Sequence, residues 1–85
     1  MKLQVFSVFD SKTAAFSQPY LFQTKGQALR SFSDSVQDPN SSFHKHPGDY
    51  TFFQLGEWDD EDGTLTPLES KLNLGTALEF LAPKK

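Results

Sequence analysis

One capped amphipathic helix limits what this chain can fold into. Thr24 followed three residues later by Gln27 fits a capping box, in which hydroxyl and amide satisfy otherwise unpaired N–H groups at a helix start. From Lys25 onward Ala28, Leu29, Phe32 and Val36 recur at three- and four-residue intervals, while Lys25, Arg30, Ser33, Asp34 and Gln37 fall elsewhere on the wheel. Pro39 disfavours helical backbone at Asp38 and ends the run. The eleven residues PNSSFHKHPGD that follow are polar and rich in turn formers, and are expected to form an exposed loop.

A helix with one apolar stripe must bury it against something, and the flanking segments read as strands. Residues 3–9 place Leu3, Val5 and Phe9 on one parity and Phe6 and Val8 on the other, the pattern of a strand buried on both faces. After the turn-forming Asp10–Thr13, a second strand is expected over Tyr20–Gln23, with Pro19 at its start. Residues 50–58, YTFFQLGEW, form the expected central strand, with Phe53 and Leu55 facing opposite to Tyr50, Phe52 and Trp58. The acidic DDEDGT turns the chain at Gly63, and Leu65–Leu68 returns as an edge strand that tolerates Pro67. In the final KLNLGTALEFLAPKK, Leu74, Leu78 and Leu81 fit a short helix and Leu72, Leu74, Leu78 and Phe80 fit a strand; the helix is preferred. Only the last few residues are candidates for disorder.

The expected fold is α+β: a small antiparallel sheet of about four strands in two hairpins, packed against one main helix, with a short C-terminal helix as an option. Eighty-five residues hold one domain, residues 1–85, and one core. The nine Phe, two Tyr and one Trp bury large apolar areas for few frozen torsions, so that core should be rich in phenylalanine. With no cysteine, neither a disulfide nor a cysteine-based zinc site supports it. Gln4, Ser7 and Asp10 break up any N-terminal signal segment, and no run of apolar residues is long enough to span a membrane. The expectation is a soluble, intracellular protein.

The net charge of −3 argues against a uniformly basic nucleic-acid binder. The acids are bunched, however: Glu57, Asp59, Asp60, Glu61, Asp62 and Glu69 lie within thirteen residues, whereas residues 1–56 carry five basic and four acidic side chains. Lys12, Lys25, Arg30, His44, Lys45 and His46, with Phe43 in the loop, are therefore candidates for contacts to phosphates and to stacked bases.

Other constellations are weaker. His44 and His46 flank Lys45 with Asp49 nearby, but no second ligand pair accompanies them, and the acidic turn would put Trp58 at the first position of a calcium loop. Neither a metal nor another cofactor is expected. No nucleophile elbow, cysteine nucleophile or glycine-rich phosphate loop is present, so no catalytic residue is named and an enzyme is not expected. A sheet that is apolar on both faces with a helix on one leaves a face that a second copy could cover, making a homodimer.

The segment from Ala28 to Gly63 carries an extended pattern. It comprises Ala28, Arg30 and Phe32 on the helix, Asp38-Pro39 at its end, HPGDY from His46 to Tyr50, LGEWD from Leu55 to Asp59, and Gly63. Lys2, Asp10, Ala15-Phe16 and Pro19 extend it upstream. In order and spacing it resembles the small nonstructural protein of the gokushovirus group of microviruses, phages with single-stranded DNA genomes. The last fifteen residues match least, and the family usually has a smaller side chain at Trp58.

The resemblance implies a non-enzymatic phage protein of the host cell cytoplasm, comparable to protein C of the phiX-type phages. It would bind DNA, preferably single-stranded, and act in the switch from double-stranded DNA replication to single-stranded genome synthesis. The alternative is an interaction module that redirects a host replication protein without touching DNA.

Overall fold

Strand β1 (Lys2–Asp10) has antiparallel neighbours on both edges, and the rest of the sheet is arranged around it. The computed structural model describes residues 1–81; residues 82–85, the end of the stretch left open to disorder, lie outside the described residues. On one edge β4 (Tyr50–Asp59) pairs with β1 along its whole length, from Lys2↔Asp59 to Asp10↔Tyr50. On the other edge β2 (Ala15–Phe16) and β3 (Tyr20–Phe22) share the position in succession. Strand β5 (Thr64–Thr76) pairs with β4 and forms the outer edge. The sheet therefore has five strands rather than about four, the additional one being the two-residue β2.

Between β2 and β3 the register against β1 shifts by one residue, from Phe9↔Phe16 to Phe6↔Tyr20, and Pro19 in the gap has no N–H to donate. Serine hydroxyls bridge the break. Ser17 N–H donates to the Val8 carbonyl at 2.8 Å, Val8 N–H donates to Ser17 Oγ at 3.1 Å, and Ser7 Oγ donates to the Ser17 carbonyl at 2.8 Å. Ser7 is the one buried polar residue among the described residues, and its hydroxyl is satisfied.

Helix α1 (Lys25–Gln37) begins as its sequence predicts, with Thr24 Oγ1 accepting from Gln27 N–H at 3.1 Å and Gln27 Oε1 accepting from Gln23 N–H at 3.2 Å. It ends at Asp38, which takes the extended ψ of 114° that Pro39 requires. The buried stripe Ala28, Phe32 and Val36 meets Phe6, Val8 and Phe52 of the sheet. Phe32 and Phe52 stack at 4.5 Å and 3°, and Phe52 and Phe6 at 5.5 Å and 8°, so one aromatic column joins helix, β4 and β1.

Two expectations are corrected, and the expected short C-terminal helix is present but follows a longer strand. The loop 39–49 contains a short helix, α2 (Ser42–Lys45), capped by Ser41 Oγ on His44 N–H at 3.1 Å, followed by a 3-10 turn (Pro47–Asp49). The tail is strand and helix in turn: β5 runs on to Thr76 and α3 (Ala77–Phe80) follows, with Phe80 closing on Phe32 at 5.0 Å. Finally, β4 carries a bulge. Val5 pairs with Gly56 and Phe6 with Gln54, so Leu55 is an extra residue and every position beyond it changes parity. Trp58, opposite Leu3, therefore shares a face with Phe53, opposite Ser7, not with Phe52.

At the bulge a Cβ on Gly56 would collide with the Thr66 carbonyl oxygen and lie 2.9 Å from Pro67 Cα. Both are backbone atoms that cannot swing aside. Gly56→Ala should destabilise the fold by about 1–3 kcal/mol, whereas Gly48→Ala, with nothing within 4 Å, should stay within about 0.5 kcal/mol; urea denaturation midpoints compare them.

Candidate functional site

Because β1 and β4 are antiparallel over their full length, the sheet has two distinct ends. At one end the Met1 amino group lies 2.7 Å from Asp60 and 3.4 Å from Glu61, and Lys2 lies 3.9 Å from Glu57. Hydrogen bonding to Asp60 holds the Met1 amino group above its usual range, and the Thr64 hydroxyl and N–H hold the Asp62 carboxyl below its own. At the other end Ser11 N–H donates to the Asp49 carbonyl at 2.9 Å, which ties the β1–β2 turn to the segment after α2.

The six candidate cations do not gather at one of these ends. Lys12 lies in the β1–β2 turn and Lys45 and His46 follow on α2 and its cap, so these three belong to the end away from the acidic hairpin. The ten residues of β4 separate the two ends by roughly 30 Å, several Debye lengths at physiological salt. Lys25 sits in the first turn of α1, next to Gln23, whose amide reaches Met1 at 3.8 Å; it is at the acidic end. Arg30 is exposed, half a helical turn from the buried stripe. Asp10 and Asp49 also occupy the Lys12 end, and Asp10 Oδ1 accepts from Lys12 N–H at 2.9 Å. The cations do not form a continuous positive surface.

Phe43 and His44 do not lie in an exposed loop. Phe43 is half-buried, 5.3 Å from Phe32 and 4.9 Å from Tyr50 between ring centroids, and so belongs to the rim of the core. His44 Nδ1 lies 2.9 Å from the Val36 carbonyl and is placed to donate to one of the last acceptors of α1. Among the described residues no three His, Asp or Glu side chains are grouped to hold a metal ion. A cleft of about 200 Å³ opens beside Phe43 and Tyr50 and is lined also by Asp10, Thr13 and Phe16; Asp10 is its one carboxylate. No helix of the described residues is long and apolar enough to cross a membrane.

The sheet face turned away from α1 is the more distinctive surface. Its cross-strand rows are Leu3, Trp58 and Leu65; then Leu21, Val5, Gly56 and Pro67; then Ser7, Phe53 and Asn73; then Phe16, Phe9, Thr51 and Thr76. None contains a charged residue. Phe16 packs at 4.9 Å on Phe9 and 5.6 Å on Phe53 yet keeps 41% of its surface in water; Leu21 keeps 48% and Leu65 61%. Sequence reasoning missed the extent of this face because alternation assigned Trp58 to the helix side. The available signal was Gly56, a glycine inside a strand, which often marks a bulge.

The sequence profile of the family described as Phage ORF5 protein matches residues 3–80. Protein ORF5 of Chlamydia phage 1 is 28% identical over 74 residues, which cover 82% of this chain and 77% of that protein. No solved structure matches the chain.

The two histidines should respond differently to truncation. His44→Ala, which leaves the Val36 carbonyl without this donor, should cost about 1 kcal/mol. His46→Ala, at an exposed position, should change stability by less than about 0.5 kcal/mol. Thermal unfolding of the two variants checks this.

Proposed function

The chain belongs to the Phage ORF5 protein family, and we propose that it is a non-enzymatic nonstructural phage protein acting in the switch from double-stranded DNA replication to single-stranded genome synthesis. It takes part in that step through protein contact, by covering the uncharged face of its sheet with a protein of the host replication machinery.

The observation that carries this reading is the set of four cross-strand rows without a charge, from Leu3–Trp58–Leu65 to Phe16–Phe9–Thr51–Thr76. Interface cores are depleted of charged residues and enriched in aromatics, as this face is. A DNA-binding face needs cations within reach of phosphates, and these rows supply none. A net charge of −3 also repels DNA but is no obstacle to a protein partner.

Direct DNA binding is the second reading, favoured by the placement of Lys12, Lys45 and His46 away from the acidic hairpin. Stacking of bases on Phe16, Phe53 and Trp58 is compatible with it. Anisotropy of a labelled single-stranded oligonucleotide, with a duplex as control, separates the two. The first reading predicts no saturable binding at physiological salt. Binding that weakens steeply with salt, and whose salt slope falls by about 0.7 for each of Lys12→Glu and Lys45→Glu, would replace it with the second.

A further inference from the structure

The cleft beside Phe43 and Tyr50 has a chemistry that the uncharged face lacks. Its volume is about 200 Å³, more than the roughly 150 Å³ that holds a benzene molecule inside a protein. Val8, Phe43 and Tyr50 supply apolar and aromatic wall, Thr13 a hydroxyl, and Asp10 the single charge among the lining residues. Phe43 and Tyr50 meet edge to face at 4.9 Å. The β1–β2 turn beside them is tied down at two points. Ser11 N–H donates to the Asp49 carbonyl and Lys12 N–H to Asp10 Oδ1, each at 2.9 Å. The cleft is thus formed before any ligand arrives, as small-molecule sites usually are.

The Asp10 carboxylate lacks a cation. Four side chains carry charge at this end, Asp10, Lys12, Lys45 and Asp49, and among the described residues no two of them form an ion pair. Lys12 meets Asp10 only through its backbone N–H, so Asp10 Oδ2 has no partner among the described residues. The Thr13 and Tyr50 hydroxyls have none there either.

We propose that this cleft binds a small organic ammonium ion, a primary amine carried on a short apolar or aromatic group. An ammonium has three donors and no acceptor, which suits Asp10 Oδ2 and the two hydroxyls. The ring faces of Phe43 and Tyr50 attract a cation, and the body of the ligand removes apolar wall from water. A neutral ligand would cover the carboxylate without pairing it, and an anion would be repelled by it. This site lies in the cleft and is independent of the partner proposed for the uncharged face.

The test is a titration of the isotope-labelled full chain with benzylamine, followed by backbone amide shifts. Saturable shifts are expected at Asp10, Thr13, Phe43 and Tyr50, with a Kd of about 1 mM. Benzyl alcohol, of the same shape without the charge, should bind about fivefold more weakly. Benzylamine should lose about the same factor on Asp10→Asn, whose amide oxygen can still accept from Lys12 N–H. A short lysine peptide blocked at both ends, which offers the same ammonium as a partner protein would, should bind more weakly than benzylamine. Shifts that do not saturate, equal binding of amine and alcohol, no loss in Asp10→Asn, or a peptide that binds more tightly than benzylamine would each overturn the proposal.

Discussion

The column of Phe6, Phe52 and Phe32, stacked at 5.5 and 4.5 Å, is the interaction on which the molecule's two-sidedness depends. Offset aromatic stacks gain from both area burial and ring geometry. Here one such stack joins the two central strands to the helix, and Phe22, Phe43 and Phe80 close around its ends. A chain of this size builds one main core, and this column places its principal cluster on one side of the sheet. The opposite face must then manage with what the strands alone provide.

What the strands provide is an apolar surface with few neighbours above it. Strand β1 buries Val5 and Ser7 on that side, sheltered by Phe9, Phe53 and the β2–β3 segment. The outer positions Phe16, Leu21 and Leu65 stay wet. Scattered exposed leucines are ordinary on protein surfaces. Four registered rows without a charge are not scattered, and they meet an acidic hairpin only at one end. The proposed protein contact therefore falls on this face rather than in the cleft by Asp10.

Local signals in the sequence carried the parts of the fold that depend on local physics. The Thr24–Gln27 cap, the Ala28–Phe32–Val36 stripe and the stop at Pro39 place α1 to the residue because capping, periodicity and proline sterics act within a few positions. The bulge at Leu55 was not legible from alternation, since a register shift is decided between strands. It moved Trp58 across the sheet. The tail was ambiguous because it holds both structures, a strand to Thr76 and a helix from Ala77. Phe43 and His44 sat in a polar stretch and read as exposed; tertiary packing against Phe32 and the Val36 carbonyl drew them in. Lys12, Lys25, Arg30 and Lys45 could be chosen as cations from sequence, but whether they converge is a property of topology, and Lys12 and Lys45 lie at one end of the sheet while Lys25 lies at the other.

The most direct test of the working face is the ratio of single-stranded to double-stranded phage DNA in infected cells. Phage carrying Phe16→Asp and Leu21→Asp, which put charge on exposed positions of the uncharged face, should accumulate double-stranded DNA and fail to make single strands. Phage carrying Lys12→Glu and Lys45→Glu should keep the ordinary ratio. A normal ratio in the face variant together with lost single-strand synthesis in the lysine variant would contradict the account and assign the function to the end of the sheet.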